Sequence, residues 1–305
     1  MRSMTSVDGV ITPTEDARIP VLDRGFLYGD SVYEVFRTYR GVPLFYEEHW
    51  ARFRNSASLI HLDLGLTLEE LTSRIRKTVA ASGAPQSRTD VYVRYALTRG
   101  VGEIDLYPDP RLTPSCVIIV KAAPDWGTAL YELGVRLAVP DTRRNAGNAL
   151  DPNIKGGNYL NNVLGLIEAR KLGADDCLML DDAGLVTEAS NSNVFFVIDG
   201  EIVTPSQKAR NLKGITKAAV RQALREEGIE TFEREIGEAD VSRATECFLT
   251  SSTREVMPVV SVRLSDGRHV RFPAGGGERT AQAARAYREY VDRYVEAHRD
   301  QTLFD

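Results

Sequence analysis

One lysine stands in DPNIKGGNYLNN, residues 151–162, after a proline and before two glycines. Pro152 breaks regular structure, Gly156 and Gly157 loosen the chain, and NYLNNVLGLIEARKLG then predicts an amphipathic helix. A lysine held against a packed framework loses its charge more readily, and the neutral amine can attack a carbonyl. The plainer alternative for Lys155 is a surface lysine in a loop. Glu188, in LVTEASNSNVFFV, lies between a strand-like run and a turn of small polar residues. It reads either as an exposed strand-end carboxylate or as an acid aimed at a positive ring nitrogen. Gly214, Ile215 and Thr216 open a predicted helix, where free N–H groups and the helix dipole favour an anion such as phosphate. Thr250, Ser251, Ser252 and Thr253 place four hydroxyls at a strand exit, which taken alone is an ordinary polar loop.

These residues need elements to position them. SVYEVFRTYRGVPLFY predicts two strands around a turn at Arg40-Gly41. EEHWARFRNSASLIHL predicts a helix with Trp50, Phe53, Ala57 and Ile60 on one face. TLEELTSRIRKTVAAS predicts a second, started by Thr67 with Glu70 three residues on. DVYVRYALTRG and PSCVIIVKAAP read as further strands. The first 121 residues therefore form a small α+β domain, residues 122–134 a connection, and residues 135–305 a larger second domain. There, DCLMLDDAGLVTEASNSNVFFVIDGEIVTP holds strand-like runs, ITKAAVRQALREEG a helix stopping at Gly228, ECFLTSSTREVMPVVSV a strand, loop and strand, and the tail a polar-faced helix.

Bulk properties remove several function classes. The chain has 305 residues, 43% of them hydrophobic, which suffices for a substantial core. The net charge of −5, without a basic block, argues against nucleic acid as a partner. No apolar run reaches the roughly 18 residues of a membrane helix. The start lacks a signal-peptide stretch, so a cytoplasmic protein is expected. Neither the three cysteines nor the four histidines cluster, so no metal is expected.

An amine for a carbonyl, an acid for a ring nitrogen and a helix start for a phosphate are together the needs of pyridoxal phosphate. The chain resembles the class IV aminotransferases, the fold-type IV pyridoxal-phosphate enzymes, from LDRGFLYGDSVYEVFRTYRG to SSTREVMPVV. The resemblance implies a small N-terminal domain, a larger pseudo-barrel domain and an active site between them, completed by a partner subunit in a homodimer. It implies that Lys155 bonds the cofactor and shuttles a proton, that Tyr159 meets the cofactor's O3′, and that Glu188 partners the ring nitrogen. Arg52 in EEHWARF, with Ile215, Thr216, Ser252 and Thr253, would hold the phosphate.

The same resemblance bears on substrate. DVYVRYALTRGVG is similar to the branched-chain aminotransferase strand, with Tyr92 and Arg94 in its Tyr-x-Arg pattern. Tyr28, Tyr33 and Arg37 match pocket positions. The two departures are Val35, where branched-chain enzymes have glycine, and Arg254 in STREV, where they have a small residue. Arg254 is expected either in solvent or as a second anion contact. The reaction implied moves an amino group from a hydrophobic, branched-chain L-amino acid to a 2-oxo acid such as 2-oxoglutarate. Alternatives are a D-amino-acid or (R)-amine transaminase, an aminodeoxychorismate lyase, and a non-catalytic homologue.

Overall fold

A computed structural model of the protein describes residues 1–206 and 210–305. The chain forms two compact units. One holds Met1–Pro124, Ile154–Asn158 and Arg293–Asp305; the other holds Asp125–Asn153 and Tyr159–Asp292. The sequence reading divides the chain once, around residues 122–134. In the structure the short stretch around Lys155 goes with the first unit, because Gly156 bridges Val32 there, and so does the chain end.

The first unit contains β1 Met4–Val7, β2 Val10–Pro13, α1 Arg24–Tyr28, β3 Ser31–Tyr39, β4 Val42–Pro43, α2 Tyr46–Leu59, α3 Leu68–Ala81, α4 Ala84–Ser87, β5 Val91–Thr98 and β6 Ser115–Ala122. Its sheet runs β2-β1-β6-β5-β3-β4. Alternation along β5 sends Val91, Val93, Tyr95 and Leu97 into the core, against Phe53, Leu71, Ile75 and Val79 of α2 and α3. Tyr92 and Arg94 take the other face. The Thr67–Glu70 capping box closes in both directions. Arg40 and Gly41 both take positive φ, as a tight two-residue hairpin requires. The strand after that turn spans only two residues, since Pro43 has no N–H to extend the ladder.

The second unit contains α5 Thr128–Leu133, β7 Val135–Ala138, α6 Leu160–Lys171, β8 Asp176–Leu180, β9 Val186–Ala189, β10 Asn193–Ile198, β11 Glu201–Pro205, α7 Ile215–Glu226, β12 Thr231–Arg234, α8 Glu238–Val241, β13 Glu246–Ser251, β14 Glu255–Arg263, β15 His269–Arg271 and most of α9 Glu278–Ala297. The expected connection at 122–134 thus contains a short helix. The sheet runs β12-β11-β10-β13-β14-β7-β8-β9, with β15 on β14. Its core is built from Leu137, Leu178, Val194, Phe196, Leu249, Met257 and their neighbours.

Helix α6 departs from the amphipathic expectation in its polarity. Its buried residues are Asn162, Gly165 and Ala169, while Leu160, Val163, Leu164 and Ile167 are exposed. Small residues let α6 lie close on the sheet: a Cβ at position 165 would meet Met179 Sδ at 2.5 Å. Gly165→Val is therefore expected to destabilise the fold by about 1–3 kcal/mol through overpacking, measured by urea denaturation; unchanged stability would show that the helix does not rely on that approach.

Candidate active site

The lysine segment is held by its backbone. The Lys155 N–H donates to Ser56 Oγ at 3.1 Å, and the Lys155 carbonyl accepts from the Tyr33 N–H at 2.9 Å. Gly157 N–H donates to the Ser31 carbonyl at 3.2 Å. The two glycines permit this approach. A Cβ on Gly156 would lie 3.0 Å from the Ser31 carbonyl oxygen, and one on Gly157 2.8 Å from Ser31 Oγ. With both backbone groups engaged, only the side chain of Lys155 remains adjustable. Its Nζ stands 4.6 Å from the centroid of the Tyr33 ring.

Beside it lies a charge cluster in which Glu34 and His49 are buried and Arg52 is largely so. Glu34 on β3 accepts from Arg52 Nε at 2.6 Å and from Arg52 Nη2 at 2.8 Å, and its Oε2 lies 2.7 Å from His49 Nδ1. His49, Arg52 and Ser56 recur at three and four residues along α2, so one helix face carries the clamp and the anchor for Lys155. Burial pushes the Glu34 carboxyl up, but the charges and hydrogen bonds of Arg52 and His49 outweigh it and hold it well below the usual carboxylate range. Burial drives the His49 pKa down, against the pull of Glu34. Facing a carboxylate, His49 Nδ1 serves as the N–H donor, and Arg52 is the counter-ion.

The sheet face away from α2 and α3 is rich in cations. The register places Tyr33, Val35 and Arg37 on β3 opposite Ala96, Arg94 and Tyr92 on β5. Lys121 on β6 pairs with Tyr92. Arg94 Cζ lies 3.5 Å from the Tyr33 ring centroid, so that ring has both Arg94 and Lys155 in cation–π range. Lys121 Nζ is 4.8 Å from the Tyr92 ring. Burial raises the Tyr92 pKa, partly offset by Arg94. Tyr28 ends α1, its ring 4.8 Å from Arg24 Cζ.

The second unit carries the remaining candidates. Glu188 on β9 is buried; its Oε1 pairs with Arg144 Nη2 at 2.7 Å and its Oε2 accepts from the Leu212 N–H at 3.2 Å. Helix α7 begins at Ile215 and Thr216 with no side-chain cap. Gly214 is required just before it, because a Cβ there would fall 1.8 Å from Asn193 Oδ1. Ser252, Thr253 and Arg254 form the turn between β13 and β14. Arg254 does not extend into solvent: its side chain is 15% exposed, and its Nη1 bonds Asp176 Oδ2 at 2.6 Å. Tyr159 immediately precedes α6. Sequence reasoning gave no role to Glu34, His49, Ser56, Arg144, Asp176 and Lys121; strand register, the α2 face and long-range ion pairs reveal them.

The family pattern for amino-transferase class IV matches residues 31–262. The branched-chain-amino-acid aminotransferase of Escherichia coli K12 is 30% identical over 273 residues, covering 86% of each chain. The chain is a class IV aminotransferase. A Methanocaldococcus jannaschii protein provisionally named a branched-chain-amino-acid aminotransferase is 37% identical over 262 residues, 86% of this chain and 88% of that one. The branched-chain aminotransferase of the thermophilic archaeon Thermoproteus uzoniensis, solved with norvaline, superposes with a TM-score of 0.84 at 30% identity, over 96% of this chain and 97% of that one. A further branched-chain enzyme solved with pyridoxamine 5′-phosphate superposes with a TM-score of 0.83 at 28% identity. The likeness extends to the fold, which is that of fold-type IV enzymes.

Class IV aminotransferases use pyridoxal 5′-phosphate, and the residues present suit it. The uncapped first turn of α7 has N–H groups to offer a phosphate. Thr250 Oγ1, two residues before the turn at Ser252, is buried with no hydrogen-bond partner among the described residues. By residue type, the buried carboxylate of Glu188 suits a ring nitrogen, and the backbone-anchored amine of Lys155 suits a carbonyl. Within this aminotransferase, Glu34→Gln is expected to cost about 3 kcal/mol at neutral pH by removing the buried carboxylate that pairs with Arg52 and His49. The Glu34 contribution is fully present above the unfolded carboxyl value of 4.5 and is lost as pH falls towards the depressed folded value. The stability gap between wild type and variant should therefore narrow by about 1 kcal/mol between about pH 5 and pH 3.5 in urea titrations. A constant gap would contradict this electrostatic assignment.

Proposed function

We propose that this aminotransferase moves the amino group of a branched-chain or other hydrophobic L-amino acid to a 2-oxo acid such as 2-oxoglutarate. The observation that carries the reading is the cationic sheet face, with Arg94 against the Tyr33 ring and Lys155 against the same ring. A carboxylate-bearing substrate finds a matching charge beside the reactive amine. The names of the relatives point the same way.

Bound pyridoxal phosphate supplies the carbonyl that receives the amino group and the ring that withdraws electrons. Lys155 Nζ takes the proton from the donor's α-carbon; its fixed backbone limits the amine to a short arc. Glu188, oriented by Arg144 and the Leu212 N–H, offers a carboxylate to the ring nitrogen, and Tyr159 a hydroxyl to O3′. Arg52, aimed by Glu34, joins Ile215, Thr216, Ser252 and Thr253 as phosphate ligands. Arg94 and Tyr92, with Tyr33, Arg37 and Tyr28 lining the pocket, select the substrate carboxylate. Arg254 is assigned a role through Asp176 instead of a substrate contact.

We further propose a cytoplasmic homodimer. Among the described residues no helix is long and apolar enough to cross a membrane. In the first unit Val21, Phe26, Ile104, Leu106 and Tyr107 are exposed, as are Leu160, Val163, Leu164 and Ile167 of α6 in the second. Apolar groups in such number favour a partner surface, and a second copy supplies one.

Two measurements test these readings. Arg94→Ala should lower kcat/KM for L-leucine about 100-fold or more, as loss of a charge-assisted contact implies, yet leave (R)-1-phenylethylamine turnover little changed. Equal losses on both would remove Arg94 from carboxylate selection, and a wild-type preference for the amine or for D-amino acids would overturn the L-amino-acid assignment. Leu106→Asp should shift the protein from dimer to monomer in sedimentation velocity; a wild-type monomer would refute the assembly.

A further inference from the structure

One buried carboxylate ties together two stretches of the second unit that the mechanism uses. Asp176, the first residue of β8, is 1% exposed. Its Oδ2 receives Arg254 Nη1 at 2.6 Å. Its Oδ1 accepts the Cys177 N–H at 2.8 Å and the Ser190 N–H at 3.2 Å. Ser190 lies two residues beyond Glu188. The Ser190 carbonyl accepts from Asn162 Nδ2 at 2.7 Å, Asn162 Oδ1 accepts from Arg144 Nη1 at 2.8 Å, and Arg144 returns to Glu188. An unbroken polar chain thus runs from the 252–254 turn to Glu188.

The turn has reason to need this hold. Glu255, which closes it, sits at φ 53°, a left-handed conformation that a non-glycine residue keeps only when its surroundings impose it. Arg254 leaves the turn and enters the unit, its Cζ 5.3 Å from the Trp126 ring centroid. Trp126 Nε1 donates to the Thr253 carbonyl at 2.8 Å, and Tyr131 Oη to the Arg254 carbonyl at 3.2 Å. Side chain and backbone are clamped from neighbouring points. A carboxylate as buried as Asp176 needs a counter-ion, and Arg254 is the cation paired with it.

We propose that Asp176 is a positioning residue that sets two parts of the site with one carboxylate. Through Arg254 it fixes the turn that presents Ser252 and Thr253; through the Ser190 N–H it fixes the strand exit that follows Glu188. This rests on the reading of Ser252, Thr253 and Glu188 as cofactor and substrate groups. The two oxygens separate the two tasks. Asp176→Asn can keep an acceptor for the Ser190 N–H but removes the charge that holds Arg254, whereas Asp176→Ala removes both.

The test uses full-length protein, L-leucine and 2-oxoglutarate as substrates, pyridoxal phosphate uptake by the apoprotein followed by tryptophan fluorescence, and thermal unfolding. Asp176→Asn and Arg254→Met are each expected to raise KM and the cofactor Kd about tenfold with kcat changed less than about threefold. Their double variant should be no worse than either single one, since both break the same contact. Asp176→Ala should in addition lower kcat about tenfold, and Arg254→Lys should recover most of the lost affinity. Additive losses, or a lowered Tm with unchanged KM and Kd, would reduce the pair to an ordinary structural contact and overturn the proposal. If Asp176→Asn fails to fold, the two Arg254 variants decide by the same readings. A wild-type apoprotein that takes up no pyridoxal phosphate would sink the cofactor reading itself; uptake by wild type with equally tight uptake by every variant sinks only the role of Asp176.

Discussion

The contact on which the first unit's chemistry depends is the seating of residues 154–158 against the start of β3. Backbone meets backbone there: Gly156 bridges Val32, Gly157 donates to Ser31 and Tyr33 donates to Lys155. A side chain at either glycine would fall within 3.0 Å of Ser31 atoms, so the approach is open only to glycine or to a shifted loop. Gly29, at φ 67°, meets Asn158 in the same way, with a would-be Cβ 2.4 Å from its Oδ1. The lysine is thereby fixed at its α-carbon without spending its amine on any structural bond among those described for it.

A second regularity governs the charges. Each buried carboxylate of the site region is matched to an arginine: Glu34 to Arg52, Glu188 to Arg144 and Asp176 to Arg254. Buried ions are tolerated only when paired and hydrogen-bonded, and each pair is used to aim a group. Glu34 orients the guanidinium proposed for phosphate, Arg144 orients the acid proposed for the ring nitrogen, and Arg254 ties down the turn. The cations of the sheet face are set against aromatic rings instead, Arg94 against Tyr33 and Lys121 against Tyr92.

Much of this was legible in the sequence because it is written in local terms. Turn residues at Arg40-Gly41, the Thr67–Glu70 cap, the alternation of β5 and the order of Lys155, Glu188 and Gly214-Ile215-Thr216 all depend on neighbours in the chain. What escaped depends on distant pairing. Glu34 and Arg52 are 18 residues apart, Asp176 and Arg254 are 78 apart, and neither spacing follows from a period. Helix α6 misled for a different reason. Its pattern is amphipathic, but small residues set its packing against the sheet and its larger apolar ones face outward. The return of residues 154–158 to the first unit likewise rests on pairing with β3, which no local signal announces.

We propose that this anchored lysine is the one that bonds the cofactor. Reduction of the holoenzyme with borohydride, followed by peptide mapping in a mass spectrometer, tests it directly. The phosphopyridoxyl group is expected on the peptide containing Lys155 and on no other. Its appearance on Lys213 or Lys217, beside the α7 start, or the absence of any labelled peptide from active enzyme, would contradict the account.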